Sequence, residues 1–137
     1  MTCWLGVVTR DHVQRAVGLG IAQIGHGKKA GLSRMRAGDG LVYYSPRRSL
    51  DSTAALRAFT AIGRVADDEV WQADDGGFRP WRRRVSYDRT AREVPLTEVR
   101  DRLALTTGPN WGHRLRRGLV PLTDGDVAVL RAAMTPA

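Results

Sequence analysis

The segment "GIAQIGHGKKAG", residues 20–31, concentrates residue types that could bind a phosphate or a flat polar ligand. The phosphate-binding loop of a nucleotide hydrolase has the pattern G-x-x-x-x-G-K-[S/T], in which the last hydroxyl holds Mg²⁺. When the segment is aligned on Gly27 and Lys28, the first glycine position falls on Ala22 and the hydroxyl position on Lys29. Two of the four fixed positions therefore differ, which argues against nucleotide hydrolysis.

Other residues that could catalyse a reaction lack the spacing that catalysis needs. Cys3 and the three histidines show no C-x-x-C or H-x-x-x-H pattern of the kind found in zinc sites. The sequence also lacks the G-x-S-x-G nucleophile elbow. The acidic clusters at residues 67–69 and 74–75 fall in segments that we interpret as turns with solubilising charge. We therefore expect a binding protein that is not an enzyme and that holds no metal or cofactor.

The charge of the chain is strongly basic and comes almost entirely from arginine. Lys and Arg number 22 against 14 Asp and Glu, a formal net charge of +8, and only two of the 22 are lysines. Guanidinium groups suit bidentate contacts with phosphates and base edges, and they stack on rings. Because GC-rich coding also favours arginine over lysine, composition alone leaves both nucleic-acid binding and a coding bias open.

The general properties of the chain predict one soluble domain. It has 137 residues, of which 42% are hydrophobic, as is typical of a globular domain with a core. No apolar run approaches the roughly 20 residues of a membrane span, and the first residues do not resemble a signal peptide. Its single cysteine cannot form an internal disulfide. We therefore expect a cytoplasmic protein without a membrane partner.

Hydrophobic periodicity predicts short strands separated by loops and small helices. The runs that predict strands are residues 3–8, 41–45, 59–65 and 81–88. The segments that predict helices are the one after Asp11, residues 96–105, and the one from Thr123, where Thr123 and Asp126 form a capping box. These elements predict an α+β fold, a small mixed β-barrel with peripheral short helices.

Several residue patterns, taken together and in this order, resemble the EVE domain family. The patterns are Trp4-x-Gly6-Val7-Val8, Asp11-His12-Val13, Gln23-x-x-His26-Gly27-Lys28, Gly38-Asp39, Tyr43-Tyr44-Ser45-Pro46, Phe59-Thr60-Ala61-Ile62-Gly63, Pro80-Trp81-Arg82-Arg83, Trp111-Gly112 and the helix from Asp126 to Met134. The family more often has a tyrosine at Trp81. EVE domains are PUA-like β-barrels related to YTH domains, so the resemblance implies a single PUA-like domain over residues 1–137.

The resemblance also implies a function, the recognition of a modified base in nucleic acid. YTH relatives hold a methylated adenine in an aromatic cage, whereas EVE domains are associated with modified cytosines in DNA and occur beside restriction-type modules. Because no nuclease or ATPase module is visible in this sequence, we assign any downstream action to a separate nuclease or other effector protein. A reader of modified RNA remains the main alternative, and a small-molecule-binding protein or a hydrolase is a more distant one.

A pocket for an extruded base needs rings that stack on the base, polar groups that reach its edge, and cations that hold phosphates. The predicted base-binding residues are Trp4, Gln23, His26, Tyr44, Ser45, Arg82, Arg83 and Trp111. The predicted phosphate-binding residues are Lys28, Lys29, Arg84 and Arg114.

The predicted rings also have a structural explanation. Trp4 lies in an apolar strand, where a core position explains it better than a pocket position does. Tyr43 and Tyr44 must face opposite sides of a regular strand, so one of them at most lines the pocket. We assign Tyr44 to the pocket because it lies at the strand end. Trp111 lies in an irregular segment, where a core position explains it less readily.

The same two interpretations apply to the polar residues. Alternation along a strand places Arg83 on the face opposite to Arg82 and Arg84. An arginine that points inward needs an anion or another acceptor. We expect one arginine to contact the ligand and one to support the pocket or a phosphate. His26 either reads the edge of the base or fixes its loop by a hydrogen bond to the backbone.

Overall fold

Seven strands and four short helices follow one another in the computed structural model, which describes residues 1–136. The strands are β1 Cys3–Val7, β2 Ile21–Ala22, β3 Gly40–Ser45, β4 Ala58–Gln72, β5 Trp81–Tyr87, β6 Val94–Pro95 and β7 Leu119–Leu122. The α-helices are α1 Arg10–Leu19, α2 Lys29–Ser33, α3 Leu96–Val99 and α4 Asp124–Met134. Short 3₁₀ turns cover Gly25–Gly27, Arg100–Arg102, Ala104–Thr106 and Trp111–Arg117.

The strands form one mixed sheet. Its order is β2-β5-β4-β3-β1-β7, and β6 pairs with the start of β4. β1 and β3 run parallel, and the other pairs are antiparallel. The α+β class with short peripheral helices is confirmed. Within residues 1–136, however, the edge strands β2 and β7 do not pair with each other, so the sheet is not closed into a barrel. β2 is only two residues long, which leaves little edge for closure.

Alternation of side chains across the sheet produces an apolar layer on each face. Leu41 and Tyr43 of β3 belong to the layer that also contains buried residues of α1 and α2. Val42 and Tyr44 belong to the opposite layer, which is covered by α3 and α4. The prediction that Tyr43 and Tyr44 face opposite sides is therefore confirmed, and both faces of the strand are covered.

Strand β4 is much longer than the predicted segment 59–65. Its register with β5 is interrupted between Val65 and Val70, and the acidic residues 67–69 lie in this interruption of the strand. Asp67 Oδ2 lies 2.7 Å from Arg84 Nη1, and this hydrogen bond lowers the pKa of Asp67. The interpretation of residues 67–69 as a turn is therefore wrong, because they lie within β4 and pair with arginines of β5.

The capping box of α4 is formed only in part. Thr123 Oγ1 accepts a hydrogen bond of 3.1 Å from the backbone N–H of Asp126, as the sequence predicts. The buried carboxylate of Asp126 accepts instead from the backbone N–H groups of Ala104 and Leu105, at 2.7 and 2.9 Å. Asp126 thereby fixes the 3₁₀ segment that precedes Trp111.

Candidate functional site

A cleft of about 860 Å³ opens at the edge of the sheet where the parallel strands β1 and β3 end and β7 begins. This volume lies within the roughly 300–1,000 Å³ of typical small-molecule sites. The segments that surround the cleft are residues 7–9 together with His12, the turn at 23–28, the loop at 46–50, Phe78 of the β4–β5 hairpin and residues 115–118. Connections, more than strands, thus build the cleft.

All of the charged residues that line the cleft are basic. The lining contains Lys28, Arg47, Arg116 and Arg117 but no aspartate or glutamate. None of these four cations forms an ion pair within residues 1–136. A concave surface lined by one sign of charge concentrates ligands of the opposite sign, so the cleft favours an anionic ligand.

Carboxylates neutralise arginines elsewhere on the molecule. Arg84 pairs with Asp67, Arg10 pairs with Glu93 at 2.6 Å, and Arg92 pairs with Glu98. Asp75 lies against two arginines, Arg15 and Arg82. These ion pairs lie outside the cleft, whereas the four cations of the cleft lining have no carboxylate partner within residues 1–136.

The turn at Gly25–Gly27 has an unusual backbone. His26 has φ 59° and ψ 34°, a left-handed conformation that costs a residue with a Cβ roughly 1–2 kcal/mol and that often occurs at functional sites. At Gly27, an added Cβ would lie 2.8 Å from Pro80 Cβ and 3.0 Å from Phe78 Cζ. Only glycine therefore allows the turn to pack against the β4–β5 hairpin, and this contact holds Phe78 beside His26.

Two hydrogen bonds fix the side of the cleft formed by Gln23. His12 Nε2 lies 2.6 Å from the backbone oxygen of Gln23, and desolvation lowers the pKa of His12. A neutral His12 therefore donates from Nε2 to this oxygen. The side-chain Oε1 of Gln23 accepts from Arg82 Nε at 3.0 Å. The amide nitrogen of Gln23 is thus the end of this side chain that remains to donate to a ligand, and Arg82 positions Gln23.

Of the predicted site residues, Gln23, His26 and Lys28 line the cleft. Two predicted rings do not. Trp4 is 8% exposed, and its Nε1–H donates to Asp39 Oδ2 at 3.0 Å. Tyr44 is packed edge to face against Phe59, with ring centroids 5.3 Å apart. Their assignment to the pocket is corrected, because helices cover both faces of the sheet and each ring fills an apolar layer.

Ser45 and Arg83 are also buried away from the cleft. Ser45 is fully buried, and its hydroxyl bonds to β4. Arg83 is 2% exposed, and its guanidinium donates to the carbonyl oxygens of Leu32 and Met35 and to a third carbonyl in β4. The expectation that an inward arginine needs an acceptor is confirmed. The assignment of both residues to the base pocket is corrected, because the Ser45 hydroxyl bonds to a hydroxyl of β4 and the Arg83 guanidinium donates to three backbone carbonyl oxygens.

Trp111 and Arg114 lie near each other but outside the cleft lining. Trp111 is half-buried against the layer covered by α3 and α4, and the Arg100 guanidinium lies 5.1 Å from the centre of its ring. Arg114 is exposed and donates to the carbonyl oxygen of Ala104 at 3.4 Å. The structure therefore separates Trp111 from Gln23 and His26, with which it was expected to share a pocket.

Lys29 and Arg84 likewise lie outside the cleft lining. The Lys29 ammonium is 4.8 Å from the centre of the Trp81 ring, an arrangement typical of a cation–π contact. Arg84 pairs with Asp67 and lies over the ring of Trp71. Lys29 and Arg84, both predicted to bind phosphate, thus interact with neighbouring side chains of the protein. Among the predicted phosphate-binding residues, Lys28 lines the cleft.

Sequence reasoning missed several residues of the cleft. The side chains concerned are His12, Arg47, Leu50, Phe78, Arg116 and Arg117. The signal that could have found Arg47 is its place two residues after the end of the predicted strand 41–45, since ligand-binding residues are often on loops that follow strands. No local signal marks Phe78, which reaches the cleft only because its hairpin packs on Gly27.

The segments that surround the cleft lie in the part of the chain that matches the model of a known protein family. A family model described as "EVE domain" matches residues 2–133. The chain belongs to the EVE domain family. The match includes all of the segments that surround the cleft.

Two bacterial relatives of this EVE domain match almost its whole length. A UPF0310 protein of Renibacterium salmoninarum is 51% identical over 132 residues, which are 96% of this chain and 94% of that protein. A UPF0310 protein of Mycolicibacterium gilvum is 42% identical over 136 residues, which are 98% of this chain and 96% of that protein.

Solved structures share the fold of this EVE domain at much lower identity. An NMR structure of a Rhodopseudomonas palustris protein has a TM-score of 0.60 at 15% identity, over 98% of this chain and 93% of that chain. A hypothetical protein from Leishmania major has a TM-score of 0.60 at 14% identity, over 97% and 94% of the two chains. The likeness to these two proteins concerns the fold alone. No helix of the EVE domain, within residues 1–136, combines the length and apolar character needed to span a bilayer.

Proposed function

We propose that this EVE domain binds nucleic acid and recognises a modified base, a modified cytosine in DNA, that enters the cleft. The observation that supports this most is a ligand-sized cleft that, within residues 1–136, is lined by four unpaired cations and no carboxylate. The family resemblance favours modified cytosine as the base. In this proposal the domain binds without catalysing a reaction, and a separate nuclease or other effector protein acts on the bound DNA.

Three groups at the cleft are suited to hold the base. Phe78 is 51% exposed and offers a ring face, and stacking of a base on an aromatic ring contributes about 1–3 kcal/mol. The Gln23 amide nitrogen can donate to an acceptor on the pyrimidine edge, since Arg82 occupies its oxygen. His26 stands beside Phe78 at the rim. The aromatic wall is therefore Phe78 in place of Trp4 and Tyr44.

The cations around the cleft are suited to the phosphates on either side of the extruded nucleotide. Lys28 is on the turn at 23–28, Arg47 follows β3, and Arg116 and Arg117 precede β7. Because the cations come from three segments around the opening, a strand that crosses it can meet them on more than one side. Phosphate contacts of this kind release counterions, so affinity should fall steeply as salt is raised.

The titratable groups that could serve an enzyme support binding over catalysis. Burial raises the pKa of Cys3 to about 11, so its thiol is protonated near neutral pH and is a weak nucleophile. The three consecutive acidic residues at 67–69, which could otherwise bind a catalytic metal ion, pair with arginines of β5. A hydrolase assay with and without Mg²⁺ checks this part of the proposal, and turnover that depends on these carboxylates would contradict it.

The proposal is tested by the binding of fluorescent DNA strands of one sequence. The strands carry cytosine, 5-methylcytosine, 5-hydroxymethylcytosine or N4-methylcytosine at one position, and an RNA strand with the same modification competes. We expect one modified DNA strand to bind about tenfold more tightly than plain DNA. Equal affinity for all strands would contradict base recognition, and a large preference for the modified RNA would favour the RNA alternative.

A further inference from the structure

Two exposed apolar side chains flank the cleft. Leu50 is 74% exposed and Phe78 is 51% exposed, and they belong to different connections. Within residues 1–136, the other large hydrophobic residues of comparable exposure are Met1 and Leu19, and neither lines the cleft. Exposed apolar groups around a basic concavity are typical of a binding surface. We therefore expect these two apolar tips, the side chains of Leu50 and Phe78, to contact the ligand of the cleft.

The charges beside the two tips differ. Leu50 follows Arg47 and Arg48, which form no ion pair within residues 1–136. Asp51 follows Leu50, so residues 47–51 carry two positive charges and one negative charge. Phe78 lies between Asp74 and Asp75 on one side and Arg79 on the other, and Asp75 is paired with arginines. The loop of Leu50 therefore attracts a phosphate backbone more than the hairpin of Phe78 does. Leu50 is thus the apolar group that a nucleic-acid backbone brings close to its bases.

The connection that carries Leu50 is held by its backbone. The N–H groups of Arg10 and Asp11 donate to the carbonyl oxygens of Arg47 and Arg48, at 3.1 and 2.9 Å. The N–H of Leu56 donates to the oxygen of Pro46 at 2.7 Å. These bonds fix the loop to the start of α1 while its side chains remain available. Little ordering is needed when such a loop binds, which favours affinity.

We infer that Leu50 inserts into the base stack of double-stranded DNA when a base leaves it for the cleft, and that the ligand of this domain is therefore a duplex. This inference rests on the proposed function. A base that leaves a duplex loses its stacking and pairing, and proteins that deform DNA insert apolar side chains such as leucine between base steps. Leu50 occupies the gap left by the base while Arg47 and Arg48 hold the flanking phosphates.

A single strand provides a sharp contrast, because its bases need no wedge to reach the cleft. The test measures the affinity of wild type and Leu50→Ala for the best-bound modified cytosine, both in a duplex and in the same strand alone, at one salt concentration. Leu19→Ala is the matched control, since Leu19 is a 54% exposed leucine outside the cleft lining. Thermal unfolding checks that both variants fold.

We expect Leu50→Ala to bind the duplex about tenfold more weakly and the single strand within about twofold of wild type. Leu19→Ala should change neither affinity. A 2-aminopurine placed next to the modified base should brighten on binding of wild type, since its fluorescence rises when stacking is lost, and brighten less with Leu50→Ala.

Two results would overturn the inference and leave the proposed function intact. One is a modified single strand that binds well while the duplex does not bind. The other is a Leu50→Ala variant that prefers modified DNA as wild type does, with equal effects, or none, on the two forms of DNA. If wild type prefers no modified cytosine in either form, the proposed function fails and the inference fails with it.

Discussion

Individual arginines of this domain differ in what surrounds their guanidinium groups. Arg83 is enclosed by carbonyl oxygens at the C-terminal end of α2, whereas Arg116 and Arg117 are exposed at the cleft. The type of residue is the same, but the first guanidinium stabilises the fold and the other two are available to a ligand. The effects of their substitution should therefore be of different kinds.

Replacement of Arg83 tests its structural role. Arg83→Met should lower the free energy of unfolding by about 2–4 kcal/mol, because it leaves three carbonyl oxygens without their charged donor. Arg84→Met, at the exposed neighbour, should change it by about 0.5 kcal/mol or less. Urea denaturation measures both. Loss of DNA affinity in folded Arg83→Met, without loss of stability, would contradict the structural assignment.

His12 gives the domain a defined pH dependence. Desolvation lowers the pKa of His12 from its ordinary value of 6.5, so the unfolded chain takes up this proton at higher pH than the folded domain. The contribution of His12 to stability is complete above pH 6.5 and is lost as the pH falls from 6.5 towards the lowered pKa. His12→Gln should show a flatter stability profile in this window. If His12→Gln had the same dependence of stability on pH as wild type, His12 would not be the cause of that dependence.

Among the elements, the contact between the turn at 25–27 and the β4–β5 hairpin is the one that brings Phe78 to the cleft. Gly27→Ala should destabilise the domain by about 2–4 kcal/mol, because it adds left-handed strain and a clash with Pro80. Gly25→Ala is the matched control, since its φ is also positive but nothing lies within 4 Å of an added Cβ. Denaturation of both variants compares strain alone with strain plus clash, and equal losses would contradict this packing.

The predictable part of the fold consists of features with local signals. The strand 41–45 and the start of α4 at Thr123 follow from alternation and from a capping residue, which involve only nearby positions. The cleft involves five segments that are distant in sequence, so no local pattern shows it. Alternation also predicts that Tyr43 and Tyr44 face opposite sides, but it does not reveal that helices cover both sides. The pocket assignment of Tyr44 was wrong for this reason.

Across the whole molecule, the positions of the carboxylates determine where the net charge of +8 acts. Aspartates and glutamates pair with arginines away from the cleft, and the cleft lining contains no carboxylate. The cleft therefore holds four cations that have no carboxylate partner within residues 1–136. Such a distribution steers a polyanion towards the cleft.

The salt dependence of DNA binding tests this distribution. Arg116→Ala with Arg117→Ala should weaken binding of modified and plain DNA alike, and should reduce the slope of log affinity against log salt by about 1 for each phosphate that the variant no longer neutralises. The control is Arg84→Ala with Arg92→Ala, which removes the same charge from arginines that already have partners. Equal changes of slope in the two double variants would show that only total charge matters.

The central claim is that the cleft receives the modified base, and an NMR titration tests it most directly. The ¹⁵N-labelled domain is titrated with a DNA strand that carries the best-bound modified cytosine. We predict that the largest shift changes occur at residues 23–28, at Phe78 and at residues 115–118, while the indole N–H signals of Trp4 and Trp111 change little. Shift changes centred on Trp111 and Arg114, with the cleft residues unaffected, would contradict the account.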